Sequence, residues 1–189
     1  MALSQKALQR KREKKKKQRS ITVKNASAPI KLDYSQWPIF ECWISDSVWN
    51  VGLGPVIVSR KNNDGFIAVA LYLADTLCLG VKDCFVRVGN ELEYQFLLNG
   101  YRARAGNLEA VDPSDAATFI HQLVLFAKEI GFNPHVDFCT AKNMLKNIPL
   151  DETQSFIFGQ EGEPLYIQGP YESLADVKKI INKLDSQSI

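Results

Sequence analysis

The stretch Asp75-Thr76-Leu77-Cys78-Leu79-Gly80-Val81-Lys82-Asp83-Cys84 places two thiols, a lysine and two carboxylates in close succession. These are the ingredients of nucleophilic catalysis. A thiolate at Cys78 or Cys84 attacks, Lys82 favours the negative sulfur, and His121 or His135 acts as base. The competing expectation is structural: a cysteine among leucines and valines behaves as a small buried hydrophobe, and Lys82 with Asp83 marks a solvated edge. Cys78, Lys82, Asp83 and His121 are the catalytic candidates, and the apolar company of the thiols favours the structural role.

Other chemistry is thinly represented. His121 lies at the flank of an apolar helical pattern, about 100° from Ile120 on a 3.6-residue wheel. His135 and Cys139 stand four residues apart, a spacing that shares one helical face. Two ligands fall short of the four that a structural zinc site takes, and no spacing brings Cys78 and Cys84 to them. Gly52-Leu53-Gly54 leads into a proline and a strand, without the helix N-terminus that holds a pyrophosphate. Glu161 and Glu163 beside Gly159 and Gly162 would repel a phosphate. Neither a metal nor a cofactor is expected. Trp37, Trp43 and Trp49 fall in a strand-rich region, where packing is the expected role.

The strongest functional signal is electrostatic. Residues 1–24 hold Lys6, Arg10, Lys11, Arg12, Lys14, Lys15, Lys16, Lys17, Arg19 and Lys24 against the single acid Glu13. That segment carries +9 while the whole chain carries +2, so the remaining 165 residues carry −7. A segment with so little apolar surface does not fold alone, and it attracts polyanions from a distance. Disorder that turns helical on an anionic surface is the expectation for 1–24, followed by a linker over 25–36 and one domain over 37–185.

That domain has the composition for a core: 46% of the chain is hydrophobic. Four scattered cysteines without a Cys-x-x-Cys pair favour reduced thiols and a cytoplasmic setting. No stretch reaches the ~20 apolar residues of a membrane span, and the basic start lacks the apolar run of a signal peptide.

Periodicity then orders the elements. Residues 38–45, 54–60, 66–73 and 84–88 read as strands. Asn62, Asn63, Asp64 and Gly65 supply a hairpin turn between the second and third. Both parities of Phe66-Ile67-Ala68-Val69-Ala70-Leu71-Tyr72-Leu73 are apolar, which predicts a central strand covered on both faces. Residues 91–98 read as a short helix. Asp112-Pro113 opens a longer one, with Ala116, Phe119, Ile120, Leu123, Phe126, Ala127 and Ile130 inward and Gly131 as its stop. Asn133-Pro134 predicts another helix with Phe138, Ala141, Leu145 and Ile148 in its stripe. Residues 156–158 and 165–167 read as a hairpin, and Ser173 with Asp176 caps a final helix. The pattern predicts α+β, an antiparallel sheet packed with three to four helices.

The Lys/Arg-rich start, Pro38-Ile39-Phe40-Glu41-Cys42-Trp43-Ile44-Ser45, the run from Leu77 to Val88 and the run from Phe158 to Pro170 together resemble a family of small bacterial proteins with no assigned activity. The resemblance implies a bacterial cytosolic origin and brings no catalytic residues.

These observations predict a nucleic-acid-associated binding protein, RNA- or ribosome-directed through Lys6, Arg10, Lys11, Arg12, Lys14, Lys15, Lys16, Lys17 and Arg19. Contacts of this kind go to phosphates, with little sequence discrimination. The alternatives are a small thiol-dependent enzyme using the 78–84 loop, and a protein-interaction module whose tail binds an acidic partner.

Overall fold

The computed structural model describes residues 33–170 and 172–186; the expectations for the basic tail and for positions 25–32 lie outside the described residues. The chain enters through a 3-10 turn (Tyr34–Gln36) and then forms β1 (Ile39–Ser45), the one-turn helix α1 (Ser47–Asn50), β2 (Leu53–Lys61), β3 (Ile67–Asp75) and β4 (Gly80–Gly89). Helix α2 (Glu91–Arg102), β5 (Leu108–Ala110), α3 (Pro113–Glu129), the short α4 (Phe138–Ala141) with a 3-10 turn (Lys142–Leu145), and α5 (Leu174–Asp185) follow. One sheet runs β4-β3-β2-β1-β5, every pairing antiparallel. The fold is α+β, as the periodicity predicts. Among the described residues no helix is long and apolar enough to cross a membrane.

The two central strands dictate the layers. On β3, Ala68, Ala70, Tyr72 and Ala74 face one side, while Ile67, Val69 and Leu71 face the other. The first face is covered by α3, whose Phe119, Ile120 and Leu123 are fully buried. The second is covered by α2, which supplies Tyr94 and Leu98. A reciprocal capping box starts α2: Asn90 Oδ1 accepts from Glu93 N–H (3.0 Å), and Glu93 Oε2 accepts from Asn90 N–H (2.8 Å). Pro113 opens α3, and Gly131 ends it at φ +79.

A buried arginine ties the periphery to the sheet. Arg60, on β2, donates to the carbonyls of Met144 (3.0 Å), Ser35 (3.1 Å), Trp37 (2.7 Å) and Lys146. Carbonyl oxygens on two remote segments thereby satisfy a guanidinium that is only 3% exposed. Ser35 is buried as well, so the entering turn is an integral part of the body.

Three sequence expectations need correction. Residues 156–158 and 165–167 do not pair as a hairpin; the only bridge in this region joins Gln160 and Glu163. Phe156 and Phe158 do alternate inward, with Ile157 81% exposed. The backbone hydrogen bonds go elsewhere: Phe156 N–H to Gln122 Oε1 (3.0 Å), Gly159 N–H to Thr76 O (2.7 Å) and Leu165 N–H to Leu77 O (2.9 Å). The helix expected from Asn133 begins only at Phe138, because His135 N–H bonds to Val81 O (2.9 Å) and holds the preceding residues along β4. Finally, the three-residue strand β5 pairs with β1 through Trp43, Ile44 and Ser45, too short a run for alternation to announce.

Close packing of α3 on the β3–β4 turn rests on Gly80. At φ +69 a side chain is strained, and a Cβ there would stand 2.5 Å from Ala127 Cβ and 3.2 Å from Leu123 O. Gly80→Ala is expected to destabilise the body by roughly 2–4 kcal/mol through left-handed strain and overpacking. A urea titration checks this; an unchanged midpoint would contradict the packing described.

Candidate functional site

Strand β3 ends in a tight turn built by its last residue. Asp75 Oδ1 accepts the backbone N–H groups of Leu77 (3.1 Å) and Cys78 (2.9 Å). The turn is tucked beneath the aromatic and aliphatic cover, so Cys78 is completely buried and Cys84 nearly so. Burial pushes the Cys78 thiol up to about 11, with Asp75 adding to it and Lys82 opposing. Cys84 is likewise pushed up to about 11 by burial and then by Asp137 and Asp83. An activated nucleophile requires the opposite shift. Asp75 is itself raised, burial outweighing the backbone donors around it.

Lys82 is paired with a carboxylate and not with either sulfur. Its Nζ lies 2.6 Å from Glu172 Oε1, and both side chains are about four-fifths covered, at 20% and 18% exposure. Glu172 Oε2 also accepts from Gly169 N–H (2.9 Å) and from the Tyr166 hydroxyl. Burial acts to raise this carboxyl, but hydrogen bonds from Lys82, Tyr166 and Gly169 together with the Lys82 charge hold it down at about 2. Tyr166 is pushed up to about 12 by its own desolvation and by the carboxylate. The group forms a clamp that fixes the segment leading into α5 against the β3–β4 hairpin. Glu172 and Tyr166 were not among the sequence candidates. The available signal was Lys82 itself, a largely covered cation that needs a partner.

The remaining candidates are dispersed. His121 is exposed on α3 and makes no hydrogen bond or ion pair with Cys78, Lys82 or Asp83. His135 sits outside any helix, with Nδ1 3.7 Å from Asp83 Oδ1 and 3.8 Å from Asp137 Oδ2. The shared helical face expected for His135 and Cys139 therefore does not form. Cys139 is exposed, whereas Cys42, Cys78 and Cys84 are buried. Among the described residues, no group of three or more His, Cys, Asp or Glu side chains converges as a metal site. Gly52 and Gly54 lead into β2 with no helix after them. The basic residues 6–19 lie outside the described residues. The three tryptophans pack: Trp37 against Tyr34, Trp49 against Phe119 and Phe156, and Trp43 beneath Arg102.

A second feature emerges on the α2 face. Helix α2 reaches toward β1, where Tyr94 Oη donates to Glu41 (2.8 Å) and lies 3.2 Å from Ser59 Oγ. It leaves the other side of the same face less covered. There an open groove of about 890 Å³ runs between α2 and β4, lined among others by Val69, Phe85, Arg87, Leu97, Tyr101 and Arg104. Leu92 and Phe96, one helical turn apart on its wall, are 82% and 83% exposed. The guanidinium of Arg87 lies over the Phe85 ring at 5.0 Å.

Comparison of the chain with family models, with curated proteins and with solved structures gives no match. Function is therefore to be read from the chain's own residues.

The clamp carries a pH dependence. The Glu172 carboxyl is held at about 2 in the folded chain, against an ordinary value of 4.5. Its contribution is fully present above about pH 4.5 and is lost as pH falls through about 2. Urea midpoints of the wild type and Glu172→Gln are thus expected to differ at pH 7, to approach each other below pH 4.5 and to converge near pH 2. A difference independent of pH would show that Glu172 does not act as a charge.

Proposed function

We propose that this chain is a binding protein directed to RNA or the ribosome. The polybasic segment 1–24 supplies affinity for phosphates, and the acidic α+β body supplies a second, positioning contact. The observation that carries this reading is the partition of charge: +9 in residues 1–24 against −7 in the rest. An acidic body avoids indiscriminate coating of nucleic acid, while the concentrated cation steers association and releases counterions on contact. The two parts linked in one chain reinforce each other through effective concentration.

The body adds support of a different kind. Its most exposed large apolar side chains include Leu92 and Phe96, beside arginines rather than in a closed catalytic pocket. Such a surface suits docking onto another macromolecule. That same observation favours a protein-interaction module as the second reading, in which the tail holds an acidic protein. Treatment with nuclease separates the two: partners held through RNA are released, and protein partners remain.

The reading predicts steep salt dependence with a defined origin. Binding of the full chain to a structured RNA hairpin, followed by anisotropy across a salt series, gives a steep log–log slope. Replacing Lys14, Lys15, Lys16 and Lys17 with glutamine is expected to reduce that slope by about 3–4. An unchanged slope would remove the tail from the interface, and absence of RNA binding by the wild type would leave the second reading.

A further inference from the structure

Strand β4 is the end strand of the sheet, and among the described residues no strand pairs with its outer side. An uncovered stretch of such an edge presents backbone N–H and C=O groups as a template for pairing. The first part is closed: His135 N–H takes the Val81 carbonyl, His135 Nδ1 lies 3.7 Å from Asp83 Oδ1, and α4 packs on the strand beyond them. The rest, residues 85–88, runs beside the α2 groove. These four residues extend roughly 13 Å, room for a short added strand.

The groove has the features that would recognise such a strand. Val69, Phe85 and Leu97 provide an apolar floor, and Leu92 and Phe96 form an apolar wall open to solvent. Arg87 and Arg104 both line it, one from β4 and the other from the turn after α2. The acid that lines the groove, Glu93, is spent on the Asn90 backbone in the capping box. Arg87 stacks over Phe85, its guanidinium 5.0 Å from the ring centroid, and keeps its side chain exposed. Within a body of net −7, this is a local concentration of positive charge beside apolar surface.

We propose that this groove receives an extended peptide segment of a protein partner, which joins β4 as a further antiparallel or parallel strand and brings an acidic side chain to Arg87 and Arg104. Backbone pairing supplies affinity and alternate apolar side chains fill the floor, the mode of strand addition used by peptide-binding domains with an edge strand beside a helix. The favoured sequence alternates apolar residues with at least one Asp or Glu. This inference concerns the body and stands apart from the RNA reading, which concerns the tail.

The test begins with a random peptide library selected on the full chain at roughly 0.5 M salt, where the tail's attraction for acidic peptides is screened. The expected result is a consensus of alternating apolar residues with an acid. A synthetic peptide of that consensus should bind at least tenfold more weakly to Arg87→Glu/Arg104→Glu and to Leu92→Asp/Phe96→Asp. All four positions are lining residues outside the buried core, so circular dichroism and urea midpoints are expected to confirm folded variants. Backbone amides among residues 85–88 should gain protection from hydrogen exchange when the peptide is bound. Replacing the tail lysines 14–17 with glutamine should leave peptide affinity unchanged. The proposal is overturned by failure to enrich any such consensus, by equal binding to the groove variants, or by unprotected β4 amides in the complex. It is also overturned if single-stranded oligouridine, not peptide, is the probe whose binding the groove variants abolish.

Discussion

Strands β2 and β3 carry apolar side chains on both faces, so the sheet needs a cover on each side, and the chain provides two of unequal size. On one face, α3 brings Phe119, Ile120 and Leu123, and the segment around Phe156 and Phe158 extends that cover through contacts with Trp49, Phe119 and Phe126. On the other, α2 has twelve residues and only Tyr94 and Leu98 buried. Burial of apolar area is the dominant stabilising term, and one helix of that length cannot seal a face spanning five strands. The asymmetry accounts for both the sealed α3 face and the open groove beside α2.

The polar groups follow from the same arrangement. Arg60 lies under the fully covered face and is satisfied by carbonyls from the entering turn and the 142–146 region. Lys82, at the rim, needs a countercharge and finds Glu172. Neither group is a reacting centre in this geometry; each fastens a peripheral segment to the sheet. The thiols of Cys78 and Cys84 fill core volume, where desolvation favours the neutral form.

Much of the fold was legible because it depends on local periodicity. The double-sided apolar run 66–73 announced the central strand, and Pro113 with Gly131 bracketed α3. Capping residues Ser173 and Asp176 marked α5, where Ser173 Oγ accepts from Asp176 N–H at 3.2 Å. What failed depended on tertiary partners. The alternation Phe156-Ile157-Phe158 correctly put two rings inward, but Gln122 and Thr76, distant in sequence, took the hydrogen bonds a hairpin would have used. Asn133-Pro134 looked like a helix start until the Val81 carbonyl captured His135 N–H. The candidate site was less legible still. A run of Cys, Lys and Asp residues gives composition but not direction, and only the strand pairing, with its irregularity between Leu73 and Ala74 opposite residues 81–83, decides where each side chain goes. The Lys82–Glu172 pair spans ninety residues of chain, beyond any local signal.

The proposed function assigns RNA to the polycationic segment and positioning to the acidic body. Photo-crosslinking of the full chain to thiouridine-substituted RNA, followed by mass spectrometry of the linked peptides, reads that division directly. The account predicts crosslinked peptides from residues 1–24, lost when the RNA is displaced by salt. Crosslinks confined to the body, or an RNA-bound chain whose residues 1–24 remain unmodified, would contradict it.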